Sequence, residues 1–146
     1  MDFRWANNGF DEKRQIMTSH FMEIKNSGLK AGIFINQNIS IQSEANLLYN
    51  SKVAINIHDK YQHLLGADVN ERTFKSLGLN GFLISDKVEI MKNIFPNVPL
   101  VETPQDMIQA IQKYSKQNLE DIKEENRNMI LENHTYVNRV KQMLEV

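Results

Sequence analysis

The chain of 146 residues contains no cysteine. That single absence removes disulfides, thiolate zinc sites, iron–sulfur clusters and cysteine nucleophiles. An excess of charge is lacking too: 17 Lys and Arg stand against 18 Asp and Glu, a formal net charge of -1. No overall field is available to grip nucleic acid or an anionic membrane, so any anion must be held locally. No apolar run approaches membrane-spanning length, and the N-terminus has Asp2 and Arg4 among isolated aromatics rather than a basic patch and an apolar stretch. Neither a membrane span nor a signal peptide is read, and a cytoplasmic location is expected. The sequence also has no Walker-type glycine loop, no G-x-G-x-x-G, no G-x-S-x-G and no zinc-type histidine array, which leaves several large enzyme classes unsupported.

What is present reads as one folded domain over residues 1–146. The composition is 41% hydrophobic and 24% charged, near the globular average. A chain of this length can bury roughly two thirds of its extended surface. Phe3 to Trp5 alternates like a strand and runs into a turn at Asn7, Asn8 and Gly9. Ile16, Met17, His20, Phe21 and Ile24 then recur at helical period, with Asp11 to cap the start and Gly28 to end it. Ala31 to Ile35 reads as a second strand, Ser43 caps a short helix through Tyr49, and Val53 to Ile57 is a third strand interrupted by Asn56. His58 to Asn70 is a polar segment, long for a connection and therefore expected to border a site. Glu71 to Leu79 predicts a helix, Phe82 to Ser85 a fourth strand, and Val98 to Val101 a fifth. Thr103, Pro104 and Asp106 form a helix start resembling a capping box, and two terminal helices are expected from Asn118 onward with a kink near His134 and Thr135.

Short apolar strands alternating with amphipathic helices predict an α/β fold: a doubly wound, mostly parallel five-stranded sheet with helices on both faces and two C-terminal helices. Ligands of such sheets lie beyond the carboxyl ends of the strands, where strand order reverses. This nominates the loops after the first and third strands: Asn7 to Asp11, with Asn8 and Gly9, and the segment from His58 to Glu71. Where Asn70, Glu71, Arg72, Thr73 and Lys75 enter a helix, free backbone N–H groups and the helix dipole favour a phosphate. Arg72 offers a planar fork and Lys75 a point charge, a pair suited to a diphosphate. The plainer alternative is that Glu71 and Lys75 form an ordinary i, i+4 surface pair. His58, with Asp59 and His63 nearby, either binds a metal, moves a proton or caps the strand structurally; no ligand set stands out, and neither a metal nor another cofactor is expected. His20, on the apolar stripe, reads as a satisfied partly buried residue.

Three blocks carry a family likeness: Ser51-Lys52-Val53-Ala54-Ile55-Asn56-Ile57-His58; Asn70-Glu71-Arg72-Thr73-Phe74 leading to Gly81-Phe82-Leu83-Ile84-Ser85-Asp86; and Glu132-Asn133-His134-Thr135-Tyr136 with Arg139. In this order they resemble the C-terminal half of group 1 glycosyltransferases, most closely the spore-maturation CgeB-like branch. The resemblance runs from about Ser43 to the end, with Arg14 as a further match. It implies a Rossmann-like donor-binding domain of a GT-B glycosyltransferase, holding a UDP- or GDP-linked sugar. The turn from Asn70 to Phe74 would lie against the diphosphate, Arg72 and Arg14 would be its cationic neighbours, and His58 would sit at the cleft edge. The His134 to Arg139 block would be structural.

The chain departs from the family pattern in two respects. Lys75 stands where the family commonly has an acidic residue that bonds the nucleotide ribose, and a cation cannot accept those hydroxyl protons. No acceptor domain is read in the chain, so an acceptor-domain protein or a second copy is the expected partner, and activity of the isolated domain is not expected to be full. No catalytic residue is nominated. The alternative function is a non-catalytic interaction module that keeps the fold without donor binding.

Overall fold

The computed structural model describes residues 11–33 and 38–145. Its sheet is built from β1 (Ala54–Asn56), β2 (Leu83–Asp86) and β3 (Leu100–Val101), all parallel, in the order β1-β2-β3. These are the expected third, fourth and fifth strands. The expected first strand lies outside the described residues. Of the expected second strand, Ala31, Gly32 and Ile33 are not in a strand, and its last two residues lie outside the described residues. The five-stranded expectation is thus replaced, among the described residues, by a three-stranded parallel sheet.

Each strand feeds a helix because a parallel neighbour can be reached only by a crossover. Pairing of Ala54 with Leu83 and of Ile55 with Ile84 fixes the register, and alternation along the strands then divides the core in two. Phe82, Ile84 and Ile55, with Val101 of β3, pack against α1 (Asp11–Asn26) through Ile24 and against α6 (Pro104–Tyr114) through Met107. Leu83 and Ala54 pack on the other face with α4 (Glu71–Gly78) and α7 (Glu120–Asn133) through Leu77 and Ile130, joined by Met91 of α5 (Met91–Ile94) and by Phe95. Helices therefore cover both faces.

Caps explain most helix boundaries. Thr103 and Asp106 form a full capping box at α6, with Pro104 in the first turn. α8 (Tyr136–Leu144) starts on a second box, Thr135 with Asn138, which breaks the chain from α7 at His134. Two sequence expectations are corrected. α2 (Ile41–Asn50) is capped by Ser40, whose hydroxyl accepts from the Ser43 amide, so Ser43 lies inside the helix. The segment after His58 contains a helix, α3 (Lys60–Leu65), made by an Asp59–Gln62 capping box and a left-handed Gly66. Its apolar residues Tyr61, Leu64 and Leu65 are exposed, so no inward-facing stripe betrayed it.

Gly81 sits where α4 returns to β2. A Cβ there would lie 2.9 Å from the Ser76 carbonyl oxygen and 3.3 Å from that of Leu48, so the tight return admits only glycine without displacement of backbone.

Candidate functional site

The carboxyl ends of β1 and β2 carry polar residues in place of the apolar pattern. Asn56 closes β1 and Ser85 is its register partner on β2, so both face α4, on the side of Ala54 and Leu83. Asn56, Ser85 and Thr73 of α4 are all fully buried. Polar groups so placed must find partners or cost stability. The Asn56 amide nitrogen donates to Thr73 Oγ1 at 3.0 Å and to Ser85 Oγ at 3.2 Å, and its oxygen accepts from Asn70 Nδ2 at 2.8 Å. Asn70 in turn caps α4: its side-chain oxygen accepts from the Thr73 amide and hydroxyl. The N-terminus of α4 is thereby tied to the ends of two strands. The amides of Glu71 and Arg72 precede the first intrahelical bond and have no partner within the helix.

A second cluster adjoins the first. Asp86, the last residue of β2, accepts from the His58 amide at 2.8 and 3.0 Å, from His58 Nδ1 at 2.6 Å, from His63 Nε2 at 2.9 Å and from the Ser85 hydroxyl at 3.3 Å. Burial pushes its carboxyl upward, but the hydrogen bonds donated by the His58 ring and amide, with a smaller contribution from His63, outweigh burial and hold it below the usual carboxylate range. Both Asp86 oxygens are committed to these donors. Among the described residues no group of three or more His, Asp or Glu is arranged to hold a metal ion.

The structure brings His58, Asn70, Glu71, Arg72 and Thr73 together at this edge. Among the described residues, Arg72 is exposed and makes no hydrogen bond or ion pair. Lys75 turns away: its ammonium pairs with Glu44 of α2 at 2.5 Å rather than with Glu71. Arg14 lies exposed on α1. Asn8 and Gly9 lie outside the described residues. His20 is a buried structural residue, its Nδ1 2.8 Å from the Ile16 carbonyl oxygen. His134 packs its ring against Phe74 and Phe95 at 5.6 and 5.8 Å between centroids and accepts from Arg139 Nη2 at 2.9 Å, a packing role between α7 and α8.

Sequence reasoning passed over Asn56, which it took only as an interruption of an apolar strand, and gave Ser85 and Asp86 no role of their own. The signal was there: a polar residue inside a buried run demands a buried partner. A cleft of about 520 Å³ lies elsewhere, lined by Tyr49 of α2, by Leu79 and Asn80 after α4 and by Glu124 and Arg127 of α7. It is at the opposite end of α4 from Asn70.

No described helix is long and apolar enough to cross a membrane. No curated protein and no solved structure matches the chain. Residues 7–145 match the family model described as "Glycosyl transferase-like", a span that contains all of the described residues, and the chain therefore belongs to that glycosyl transferase-like family.

Proposed function

We propose that this is a donor-binding glycosyltransferase domain, which seats the diphosphate of a UDP- or GDP-linked sugar at the N-terminus of α4. The observation that carries the reading is the Asn56–Asn70–Thr73 network, which fixes that helix terminus at the carboxyl edge of the sheet. The amides of Glu71 and Arg72, the helix dipole and the Arg72 guanidinium would meet there on a leaving diphosphate. His58 lies beside them at the strand end. Arg14, exposed on α1, would be a further cationic neighbour. α1 and α4 lie on opposite faces of the sheet, as the two helices flanking a switch point do; this supports a doubly wound sheet.

In this reading the chain is the C-terminal half of a GT-B enzyme of the CgeB-like branch, working in the cytoplasm without a metal. The acceptor hydroxyl and its base come from a partner portion. Lys75, held by Glu44, leaves ribose recognition to other groups. Calorimetric titration with UDP and GDP tests the reading: micromolar to millimolar binding lost in Arg72→Ala supports it, and absence of binding, or binding indifferent to Arg72→Ala, overturns it.

One observation favours the second reading, an interaction module. α8 exposes Tyr136, Val137, Val140, Met143 and Leu144 along one stripe, and apolar faces of this kind mark contact surfaces. An acceptor-domain protein or a second copy of the chain would cover it. Light scattering of the wild type and of Met143→Asp separates a self-associating chain from a monomer.

A further inference from the structure

Two histidines share the Asp86 carboxylate, and their partners assign different protonation states to them. Asn56 donates its two amide hydrogens to Thr73 Oγ1 and Ser85 Oγ, because those hydroxyls direct their own hydrogens to Asn70 Oδ1 and Asp86 Oδ1. His58 Nε2 faces the same Asn56 amide group at 3.4 Å. A hydrogen on that nitrogen would point at the amide hydrogens, so the partners assign His58 one hydrogen, on Nδ1, donated to Asp86 Oδ1 at 2.6 Å. His63 is placed differently. Its Nε2 is 2.9 Å from Asp86 Oδ2 and its Nδ1 is 3.1 Å from the Lys87 carbonyl oxygen. Both partners are acceptors, and only the imidazolium satisfies both.

We infer that His63 is a positioning residue for the α4 seat: as an imidazolium it fastens α3 to the end of β2, and through Asp86, His58 and Asn56 it holds the Asn70 turn in place. The inference rests on the proposed donor site for its functional consequence and on geometry alone for the fastening itself. His63 lies in the last turn of α3, where a cation is favoured by the helix dipole. The chain from α3 reaches the Asn70 cap through residues 66–70, so a loosened α3 releases one end of the turn while the loss of the Asp86 contact releases the other. The fastening is complete only while both ring nitrogens carry hydrogen. The other titratable groups around it are committed elsewhere or are neutral. His58 stands edge-on at 6.2 Å between ring centroids, Lys87 is paired with Glu102, Glu89 with Lys92, and Asp59 caps α3. Lys60, on the same helix, carries the like charge.

Long-range proton–nitrogen correlation spectra of ¹⁵N-labelled protein, recorded from about pH 5 to about pH 8.5, read the state of each ring without any nucleotide. The expected result is that His63 holds two protons at pH values where His58 still holds one, on Nδ1. Protonation of His58 first, or a neutral His63 wherever His58 is neutral, overturns the inference. Amide exchange at Thr73 gives the positioning readout: its protection should fall as His63 loses its second proton and should fall in His63→Ala at all pH values. His63→Gln, which donates without titrating, should restore part of the protection and abolish its pH dependence. Unchanged Thr73 protection in His63→Ala at low pH overturns the positioning role. Because these measurements need no nucleotide, failure of the donor reading would leave their outcome intact. If UDP does bind, His63→Ala should weaken it several-fold at low pH and little at high pH.

Discussion

Asn70 donates to Asn56 Oδ1 at 2.8 Å, so the residue that caps α4 is itself held by the last residue of β1. The cap oxygen is thereby oriented toward the Thr73 amide, and the terminus of α4 cannot rotate without breaking a buried bond. Preorganisation of this kind is what an anion seat needs, since donors that are already aimed require no reorganisation when charge arrives.

Asn56→Ala should be the more damaging change of the two. It strands Thr73, Ser85 and Asn70 groups in a buried site, and about 2–3 kcal/mol of unfolding free energy should be lost. Asn70→Ala removes a helix cap and should cost about 1 kcal/mol. Urea denaturation of both variants gives the comparison, and an Asn56→Ala loss no larger than that of Asn70→Ala would contradict the buried network.

Gly81→Ala forces a Cβ to 2.9 Å from the Ser76 carbonyl oxygen. Backbone cannot retreat as a flexible side chain would, so a loss of about 1–3 kcal/mol is expected. Thermal melting reads it directly. Gly28→Ala, where no atom lies within 4 Å but φ is +76, should cost only the conformational strain, about 1 kcal/mol.

The Asp86 carboxyl is held below its usual range in the folded chain. Its contribution is therefore complete above the unfolded value near pH 4 and is lost as the pH falls through the lower folded value. Acid unfolding of the wild type should steepen in that window. Asp86→Asn should be less stable at neutral pH and should show a shallower acid limb.

His134 behaves in the opposite chemical sense with the same direction. Burial against Phe74 and Phe95, and then the Arg139 charge, hold its ring below the usual histidine range. The folded chain resists its protonation, so stability is present above about pH 6.5 and declines as the pH falls through that value. The difference in unfolding free energy between wild type and His134→Gln should shrink from about pH 8 to about pH 5. A difference that grows on acidification would contradict the packing described for this ring.

Much of this architecture was legible in residue patterns because burial imposes them. The stripe of Ile16, His20 and Ile24 gave α1, and Thr103 with Asp106 gave the start of α6. The apolar run ending at Ile57 located β1, and Asn70 to Thr73 located the N-terminus of α4. What stayed hidden had no inward stripe. α3 presents Tyr61, Leu64 and Leu65 to solvent and is defined by its caps, while α5 spans only Met91–Ile94. The start of α2 was misplaced because Ser40 and Ser43 are both good caps and only the Ser40 hydroxyl meets the helix amide. At the site, Arg72 and His58 stood out by charge and position, whereas Asn56 and Asp86 act through partners 14 to 29 residues away along the chain, a distance that local pattern does not reveal.

The most direct test of the account is a ¹⁵N amide titration with UDP, monitored residue by residue. The account predicts that the Glu71, Arg72 and Thr73 amides shift first and together, that the shifts saturate, and that Arg72→Ala weakens them. Amides at α4 that stay fixed while those of Tyr49, Leu79 and Asn80 at the opposite cleft move, or a spectrum that does not change at all, would contradict it.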